Sequence, residues 1–284
     1  MRSGLAAVLL TLAFACGGDA YTEEPMSEQV QLDAITDAEW DALASRRIFF
    51  GHQSVGRDMV DGMRRVLDAN PHIGLRIVTA EHPSLVAGPA FMEARIGRNR
   101  EPQSKTQAFE AVLDSGFGDE SDAIAMYKYC YVDILPGTDP DVLFDSYARS
   151  VESVRERYPG LTLVHVTMPL HEASDGVREQ LKTAIGRPTQ TRLNHARNRF
   201  NELLRARYEG RDPVFDLAAV ESTRPDGSMA YTRYRGSNVR MLAPEYTYDG
   251  GHLNEDAQDH VAGLFLTFLA RVAARTVENA NVSL

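Results

Sequence analysis

The sequence predicts a three-layer α/β/α domain built on a five-stranded parallel sheet. Short apolar runs alternate with segments of helical periodicity five times along the 284 residues. Such alternation is typical of strand–helix–strand units, whose helices cover both faces of a parallel sheet. Hydrophobic residues make up 43% of the chain and charged residues 25%, an ordinary balance for a globular protein with a large core.

Five apolar runs are the predicted strands. They span residues 47–51, 74–79, 123–132, 161–167 and 213–220. Runs of this length and composition are typical of buried strands. Ligand sites of parallel sheets form at the carboxyl ends of the strands, so the residues directly after each run are the candidates for function.

Five further segments are the predicted helices. They span residues 55–67, 105–113, 140–158, 190–208 and 255–277. In the first, apolar residues recur with a helical period, and the third begins with Pro140, which suits a first helical turn. The fourth is rich in arginine, and its arginines are expected to face solvent. Residues 81–104 are predicted to form a long loop and residues 221–248 an irregular stretch.

The first 18 residues have the build of a secretion signal. Arg2 supplies a positive charge, residues 5–15 form an apolar run, and Cys16 follows the small residue Ala15. A cysteine at this place resembles a bacterial lipoprotein signal, which implies a lipidated Cys16 and an exported protein anchored in the cell envelope. Plain secretion and a buried cysteine in a cytosolic helix are the alternatives. If Cys16 carries lipid, Cys130 is left alone and no disulfide forms.

The segment after the signal is predicted to be a tether. Residues 17–38 are acidic and poor in large aliphatic side chains, which indicates a solvated linker ahead of one folded domain at residues 39–284. The whole chain has a net charge of −10, from 40 acidic and 30 basic residues. That charge repels phosphate backbones, so we expect no nucleic-acid partner.

Ser54 is the candidate nucleophile. It lies between the first predicted strand and the first predicted helix, within Gly51-His52-Gln53-Ser54-Val55-Gly56. Backbone N–H groups at the start of a helix lack helical partners and attract an oxyanion. A serine hydroxyl needs a neighbouring base before it attacks a carbonyl. The alternative interpretation is that Ser54 only caps the helix.

Asp249 and His252 are the candidate base pair. They are separated by two glycines and lie just before the last predicted helix. The glycines allow a tight turn, in which the carboxylate holds one imidazole nitrogen and leaves the other to act as a base. Taken alone, the same pattern also fits an ordinary turn.

Ser54 near the start of the domain and the Asp-x-x-His pair before the last helix together resemble the SGNH, or GDSL-like, hydrolase family. The resemblance covers residue 47 to the C-terminus and implies a flavodoxin-like fold. It also implies Ser54 as nucleophile, His252 as general base and Asp249 as the residue that orients the imidazole.

Two motifs of that family are altered here. The Gly-Asp-Ser-Leu block is replaced by Gly51-His52-Gln53-Ser54-Val55, and the Gly-x-Asn-Asp block by residues 128–133, KYCYVD. In the family, the Asn of the second block and a Gly N–H complete the oxyanion hole. Gly97 and Asn99, in the loop after the second predicted strand, are the first substitutes, and Lys128 and Tyr131 are further candidates. A loop asparagine that satisfies its own turn is the alternative for Asn99.

The resemblance implies an exported serine esterase that cleaves an ester-linked acyl group by an acyl-serine route. The substrate is expected to be an acylated small molecule, lipid or glycan, the membrane is reached through the lipid anchor, and no metal or organic cofactor is expected. Two alternatives stay open. One is an O-acyltransferase acting on surface polysaccharide, and the other is a non-catalytic ligand-binding lipoprotein with the same fold.

Overall fold

The computed structural model describes residues 32–174, 176, 181, 182, 185 and 187–282, and its centre is a six-stranded sheet. The strands are β1 (Arg47–His52), β2 (Ile77–Thr79), β3 (Ala90–Arg95), β4 (Ile124–Tyr127), β5 (Thr162–Val166) and β6 (Val214–Phe215). Their order is β2-β3-β1-β4-β5-β6, and all neighbouring strands are parallel. The carboxyl ends of β1, β3 and β4 therefore meet at the centre of one edge of the sheet.

The prediction of a parallel α/β sheet is confirmed, but the strand count of five is wrong. The additional strand is β3, which lies inside the predicted loop 81–104 and pairs with both β1 and β2. Glu93 in its middle breaks the apolar pattern of the run, yet its side chain is fully buried. A buried hydrogen bond of 2.9 Å between Glu93 Oε2 and His52 Nε2 of β1 satisfies the carboxylate at this interruption of the apolar pattern.

The last sheet strand is shorter than the predicted run 213–220. After Phe215, the Asp216 carboxylate accepts a hydrogen bond from the Ala219 N–H at 3.2 Å and starts a short helix. An aspartate at this position satisfies one of the free N–H groups of a first helical turn. Local capping therefore outweighs the strand-like composition of the run.

Helices cover both faces of the sheet. They are α1 (Asp37–Ala44), α2 (Ser54–Ala69), α3 (Pro102–Val112), α4 (Pro140–Arg157), α5 (Gln190–Tyr208), α6 (Leu217–Ser222) and α7 (Glu255–Val282). Phe50 and Phe49 point to opposite faces: Phe50 packs in the core of α1, α2 and α7, and Phe49 in the core of α3, α4 and α5. The predicted three-layer arrangement is thus confirmed.

The packed part of the chain extends into the segment predicted as a tether. Leu32 and Ile35 are buried in the same core as Trp40 of α1. Thr36 and Glu39 form a reciprocal capping box, which stabilises the start of α1. The remainder of the predicted tether, together with Cys16 and the signal-like residues, lies outside the described residues.

The predicted irregular stretch 221–248 contains an antiparallel hairpin. It consists of β7 (Tyr231–Tyr234) and β8 (Ser237–Arg240). Across the part of the chain that the structure describes, no helix combines the length and the apolar character that a bilayer span requires.

Candidate active site

Ser54 is the first residue of α2, two residues beyond the end of β1. The N-cap is Gln53, so Ser54 does not take the capping position that was the alternative interpretation. Its side chain is partly exposed. No hydrogen bond joins the Ser54 hydroxyl to a described residue, and the structure therefore shows no direct Ser54–His252 bond.

His52 fixes the backbone that leads into Ser54. Its ring is fully buried; Nε2 lies 2.9 Å from Glu93 Oε2, and Nδ1 lies 2.9 Å from the Gln53 carbonyl oxygen. Burial works against the Glu93 charge, but hydrogen bonds from His52 and Thr79 outweigh it and lower the Glu93 pKa to about 2. Because both ring nitrogens of His52 are occupied, this imidazole is a support for the turn and not a base for Ser54.

Gln53 connects the same turn to the loop after β3. Its Nε2 donates to the carbonyl oxygens of Ile96 and Gly97 at 2.8 and 2.9 Å. Gly97, one of the predicted oxyanion residues, is therefore held next to the residue that precedes Ser54.

Asn99, the second predicted oxyanion residue, is exposed and belongs to a network around Lys105. The buried Lys105 ammonium donates to Asn99 Oδ1 at 3.2 Å and to the Asp133 carboxylate. Asp133 also accepts the backbone N–H groups of Arg100 and Cys130, at 2.9 and 2.7 Å. This network fastens the loops after β3 and β4 to each other beside Ser54.

Asp249 and His252 form the hydrogen-bonded pair that the sequence suggested. His252 Nδ1 lies 2.6 Å from Asp249 Oδ2, while Asp249 Oδ1 accepts the backbone N–H groups of Gly251 and His252 at 2.9 and 2.8 Å. Partial burial opposes the Asp249 charge, but these hydrogen bonds outweigh it and hold the Asp249 pKa well below its usual range. An ionised Asp249 fixes the proton of His252 on Nδ1 and leaves Nε2 as the acceptor.

The two glycines between them are required by their surroundings. Gly250 has φ +85°, and a Cβ on it would lie 2.8 Å from His171 Cε1. A Cβ on Gly251 would lie 2.5 Å from the Tyr131 hydroxyl. The turn therefore packs directly on two aromatic side chains at the ends of β4 and β5, and no larger residue fits there without displacement.

Arg197 of α5 contacts Tyr131 directly and is connected to His171 through Asn194. Its guanidinium is buried, donates to the Tyr131 carbonyl oxygen at 2.9 Å and to Asn194 Oδ1 at 2.6 Å, and lies over the Tyr131 ring. Burial lowers the Arg197 pKa to about 10. Asn194 in turn binds the backbone N–H and carbonyl of His171. The expectation that the arginines of this helix face solvent is thus wrong for Arg197.

Asp58 joins the serine helix to the histidine loop. Its carboxylate, one helical turn after Ser54, accepts the backbone N–H of Leu253 at 3.2 Å. Residues four apart lie on the same face of a helix, so Ser54 and the His252 loop are at the same side of the same sheet edge. Sequence reasoning missed Asp58, although its spacing from Ser54 was a usable signal.

Two further ionisable groups are buried beneath this edge. Lys128, directly after β4, is 1% exposed, and its ammonium has no hydrogen-bond partner within the described part of the chain. Glu221 in α6 is also 1% exposed and accepts the backbone N–H of Leu170. Burial lowers the pKa of Lys128 and raises that of Glu221 to about 8. The sequence named Lys128 only as a possible oxyanion donor and gave Glu221 no role.

A cleft of about 670 Å³ opens beside Asp249. Its walls include His171, Glu172, Gln190 and Tyr248. Tyr248, which directly precedes Asp249, is 91% exposed. The cleft therefore combines polar walls with one accessible aromatic ring next to the candidate base pair. No group of side chains suited to bind a metal ion occurs among the residues described.

Comparisons with known proteins give distant structural matches. No family model matches the chain, and no curated protein sequence matches it. A solved structure from Streptococcus pneumonia, described in connection with platelet activating factor, is 14% identical with a TM-score of 0.44, and the match covers 85% of this chain and 90% of that chain.

Two other solved structures are similar at the same level. An acetyl xylan esterase is 15% identical with a TM-score of 0.41, over 77% of this chain and 97% of its own. The periplasmic domain of a lipopolysaccharide acetyltransferase from Salmonella ser. Paratyphi A is 10% identical with a TM-score of 0.40, over 77% of this chain and 81% of its own. Matches with such low identities and TM-scores carry no argument about function, so only the residues of this chain bear on the chemistry of the site.

Proposed function

We propose that the chain is a serine esterase of the SGNH type that cleaves an ester-linked acyl group. The observation that carries the proposal is the pairing of His252 Nδ1 with Asp249 at 2.6 Å, which leaves Nε2 as a proton acceptor. The hydrogen bond from the Leu253 N–H to Asp58, a residue of the helix that begins at Ser54, supports the assignment of this acceptor to Ser54.

In the proposed reaction, Ser54 Oγ attacks the carbonyl carbon of the ester while His252 Nε2 takes its proton. The tetrahedral intermediate then expels the alcohol, which receives that proton from His252. Water attacks the acyl-serine, gives a proton to His252, and the acid leaves as Ser54 recovers its own. Asp249 stabilises the imidazolium in both halves of the cycle.

The oxyanion of each intermediate needs donors. The backbone N–H groups at the start of α2 supply part of this function, because the first turn of a helix leaves them unpaired. Gly97 and Asn99 complete the donor set in our proposal, and the Gln53 and Lys105 contacts hold both residues close to the serine turn. One such donor contributes about 3 kcal/mol to catalysis.

The free protein has no hydrogen bond between Ser54 and His252, so binding of substrate must bring them together. The Ser54 hydroxyl has no competing partner among the described residues, and rotation about χ1 moves it between staggered positions at low cost. Catalytic hydrogen bonds commonly tighten only in the substrate complex.

The substrate in this proposal is an acylated glycan or lipid that occupies the cleft beside Asp249. The polar side chains of Glu172 and Gln190 in the cleft wall suit a substrate alcohol that carries several hydroxyl groups. The exposed Tyr248 ring offers a flat surface for a sugar. If an alcohol in place of water attacks the acyl-serine, the same residues carry out acyl transfer. Product analysis with and without a glycan acceptor distinguishes hydrolysis from transfer.

Export and a lipid anchor on Cys16 are part of the proposal, and they are supported by the basic residue, the apolar run and the cysteine of residues 1–18. The test is membrane fractionation in bacteria. The wild-type chain is expected in the membrane fraction, and the Cys16→Ser variant is expected to lose that location.

A fluorophosphonate probe tests the enzymatic proposal directly, because it labels only an activated serine. We expect labelling of the wild type, loss of labelling in Ser54→Ala, and strong reduction in His252→Ala. Ser237→Ala is the matched control, since Ser237 is exposed on the β7–β8 hairpin and is expected to leave labelling unchanged. A wild-type protein that never reacts supports the non-catalytic binding protein instead.

A further inference from the structure

The imidazole of His171 is held in one orientation at the cleft beside Asp249. Its backbone N–H donates to Asn194 Oδ1 at 3.1 Å, and its carbonyl oxygen accepts from Asn194 Nδ2 at 2.6 Å. The ring Nδ1 lies 2.7 Å from the Glu172 carbonyl oxygen. Because a carbonyl oxygen can only accept, the proton of the neutral ring lies on Nδ1 and Nε2 keeps its lone pair. This Nε2 has no hydrogen-bond partner among the residues that the structure describes.

The same ring is neutral at pH 7 and packs on the turn that leads to His252. Burial lowers the pKa of His171 below the usual 6.5, although the hydrogen bond to the Glu172 carbonyl oxygen acts in the opposite direction. A Cβ on Gly250 would lie 2.8 Å from His171 Cε1. The structure therefore places a hydrogen-bond acceptor in the cleft wall, directly against the turn of the candidate base pair.

Gln190, another residue of the same wall, supplies a donor. Its side-chain oxygen accepts from Arg197 Nη1 at 3.1 Å. A guanidinium can only donate, so this contact fixes which end of the amide faces Arg197 and leaves the amide nitrogen with its two N–H groups. That nitrogen has no hydrogen-bond partner in the described part of the chain, and both Gln190 and His171 line the cleft.

Arg197 organises the acceptor and the donor together. Its buried guanidinium binds Gln190 Oε1 and Asn194 Oδ1, and Asn194 binds both backbone groups of His171. The positions of the two wall residues are thus set before a ligand arrives. Such preorganisation reduces the entropy that is lost when a ligand binds.

A hydroxyl group matches this arrangement, because it can donate to the imidazole and accept from the amide. The cleft walls also favour a neutral ligand. Among the wall residues that the structure describes, the carboxylates of Glu172 and Asp249 outnumber the one ammonium, that of Lys182. An anionic group, such as the headgroup of a phospholipid, is therefore disfavoured.

We propose that His171 Nε2 and Gln190 Nε2 bind a free hydroxyl in the alcohol part of the substrate, so that the preferred substrates are acyl esters of sugars or other polyols. This inference rests on the proposed function, since it assigns the alcohol side of the same cleft. His171 accepts a hydrogen bond from the hydroxyl and Gln190 donates one to it. Neither residue transfers a proton to or from Ser54.

Two small esters test this assignment. Glycerol monoacetate and propyl acetate share the acyl group and the carbon skeleton of the alcohol, and only the first carries free hydroxyls. The measurement is the ratio of their kcat/KM values. His171→Leu and Gln190→Leu are each expected to lower this ratio about fivefold, as the loss of one hydrogen bond does. His171→Gln restores an acceptor oxygen at a similar reach and is expected to recover part of the ratio.

The ratio excludes a purely structural effect, because a variant that only disturbs the turn slows both esters alike. His195→Leu is the matched control. His195 directly follows Asn194, but its ring packs on Tyr234 of the hairpin with the ring centroids 5.1 Å apart. It is expected to keep the wild-type ratio. The proposal is overturned if either leucine variant at the cleft keeps that ratio, or if His195→Leu lowers it equally.

Binding without catalysis separates this inference from the proposed function. In Ser54→Ala with ¹⁵N-labelled histidine, glycerol monoacetate is expected to shift the His171 Nε2 resonance, and propyl acetate is not. The resonance is assigned by its absence in His171→Gln. The shift in a chain that no fluorophosphonate labels means that the esterase proposal fails and the hydroxyl site stands. Labelling of Ser54 in the wild type without such a shift overturns the hydroxyl site and leaves the esterase.

Discussion

The Asp58 carboxylate accepts the backbone N–H of Leu253 at 3.2 Å, across nearly two hundred residues of sequence. Through this single contact, the helix that begins at Ser54 is joined to the turn that ends in His252. The two ends of the domain thereby meet at one edge of the sheet, as the serine hydrolysis that we propose requires.

Loss of this contact should reduce activity more than stability. We expect Asp58→Ala to lower kcat/KM of ester hydrolysis at least tenfold, since a hydrogen bond to a charged group contributes about 1.5–3 kcal/mol. Steady-state kinetics and thermal unfolding measure the two effects. Asp61→Ala, on an exposed turn of the same helix, is the control and should retain activity. Equal loss in both variants would contradict the role of Asp58.

Replacement of Asp249 should affect the base and not the binding of substrate. In Asp249→Asn, the side chain no longer fixes the proton on His252 Nδ1, so kcat should fall on the order of 10³–10⁴-fold while KM changes little. Fluorophosphonate labelling rates report the same loss. A variant that retains most of its kcat would mean that another residue orients His252.

The glycines of the turn should be needed for geometry. Gly250→Ala adds a methyl group against His171 at a residue with φ +85°, and we expect a loss of both activity and about 1–2 kcal/mol of stability. Gly236→Ala is the matched control, because Gly236 has φ +87° in the hairpin with open space around its Cβ position. It should lose similar stability and keep activity. If Gly236→Ala also abolishes the proposed esterase activity, backbone strain alone explains the result.

Glu221 should make the stability of the fold depend on pH. The pKa of Glu221 in the folded state is about 8, above the usual 4.5. Its contribution to the stability of the fold is therefore fully present below pH 4.5 and is lost as the pH rises through 8. In Glu221→Gln, the fall in the free energy of unfolding between pH 5 and pH 8 should be smaller by a few kcal/mol. Urea unfolding of both proteins at three pH values measures the difference between their free energies of unfolding. The contributions of the histidines cancel in that difference. Identical pH dependence would rule out Glu221 as the titrating group.

Tyr248 should matter for large substrates alone. Tyr248→Ala is expected to raise KM for an acylated oligosaccharide severalfold, since an exposed ring contact contributes about 1 kcal/mol, and to leave the turnover of a small acetyl ester unchanged. Tyr231→Ala removes a half-exposed tyrosine from the hairpin and is the control. An equal effect on the small ester would place Tyr248 in the chemical step.

The sequence predicted the layers of the fold and the Asp249–His252 pair because these depend on local patterns. Apolar periodicity located every helix from α2 onward except the short α6, and the two glycines between Asp249 and His252 indicated a tight turn. The strand β3 was missed because Glu93 interrupts its apolar run, and the partner that makes this burial tolerable, His52, lies forty-one residues earlier. No local pattern contains that pairing.

The supporting charges of the site were missed for a similar reason. A lysine after a strand is usually solvated, and only the folded structure shows that Lys128 is buried. Arg197 lies on a helix whose other arginines include exposed ones, and its burial depends on the contact with Tyr131 from a distant loop. Asp58 was missed as well, although its spacing from Ser54 along one helix face was visible in the sequence.

The helix α7 has a consequence for how the molecule would sit on a membrane. It starts beside the His252 turn, and at Ala273 its carbonyl oxygen accepts a hydrogen bond from Arg46, at the amino end of the sheet. The intervening turns span about 27 Å. Thr36 and Glu39 at the start of α1 line one cavity with Arg271 and Arg275 of this helix, so α1 begins near the end of α7 that is remote from Ser54. If Cys16 carries a lipid, as we propose, the domain would be attached to the bilayer from the side opposite the candidate site, which would leave that site accessible to polymers of the envelope.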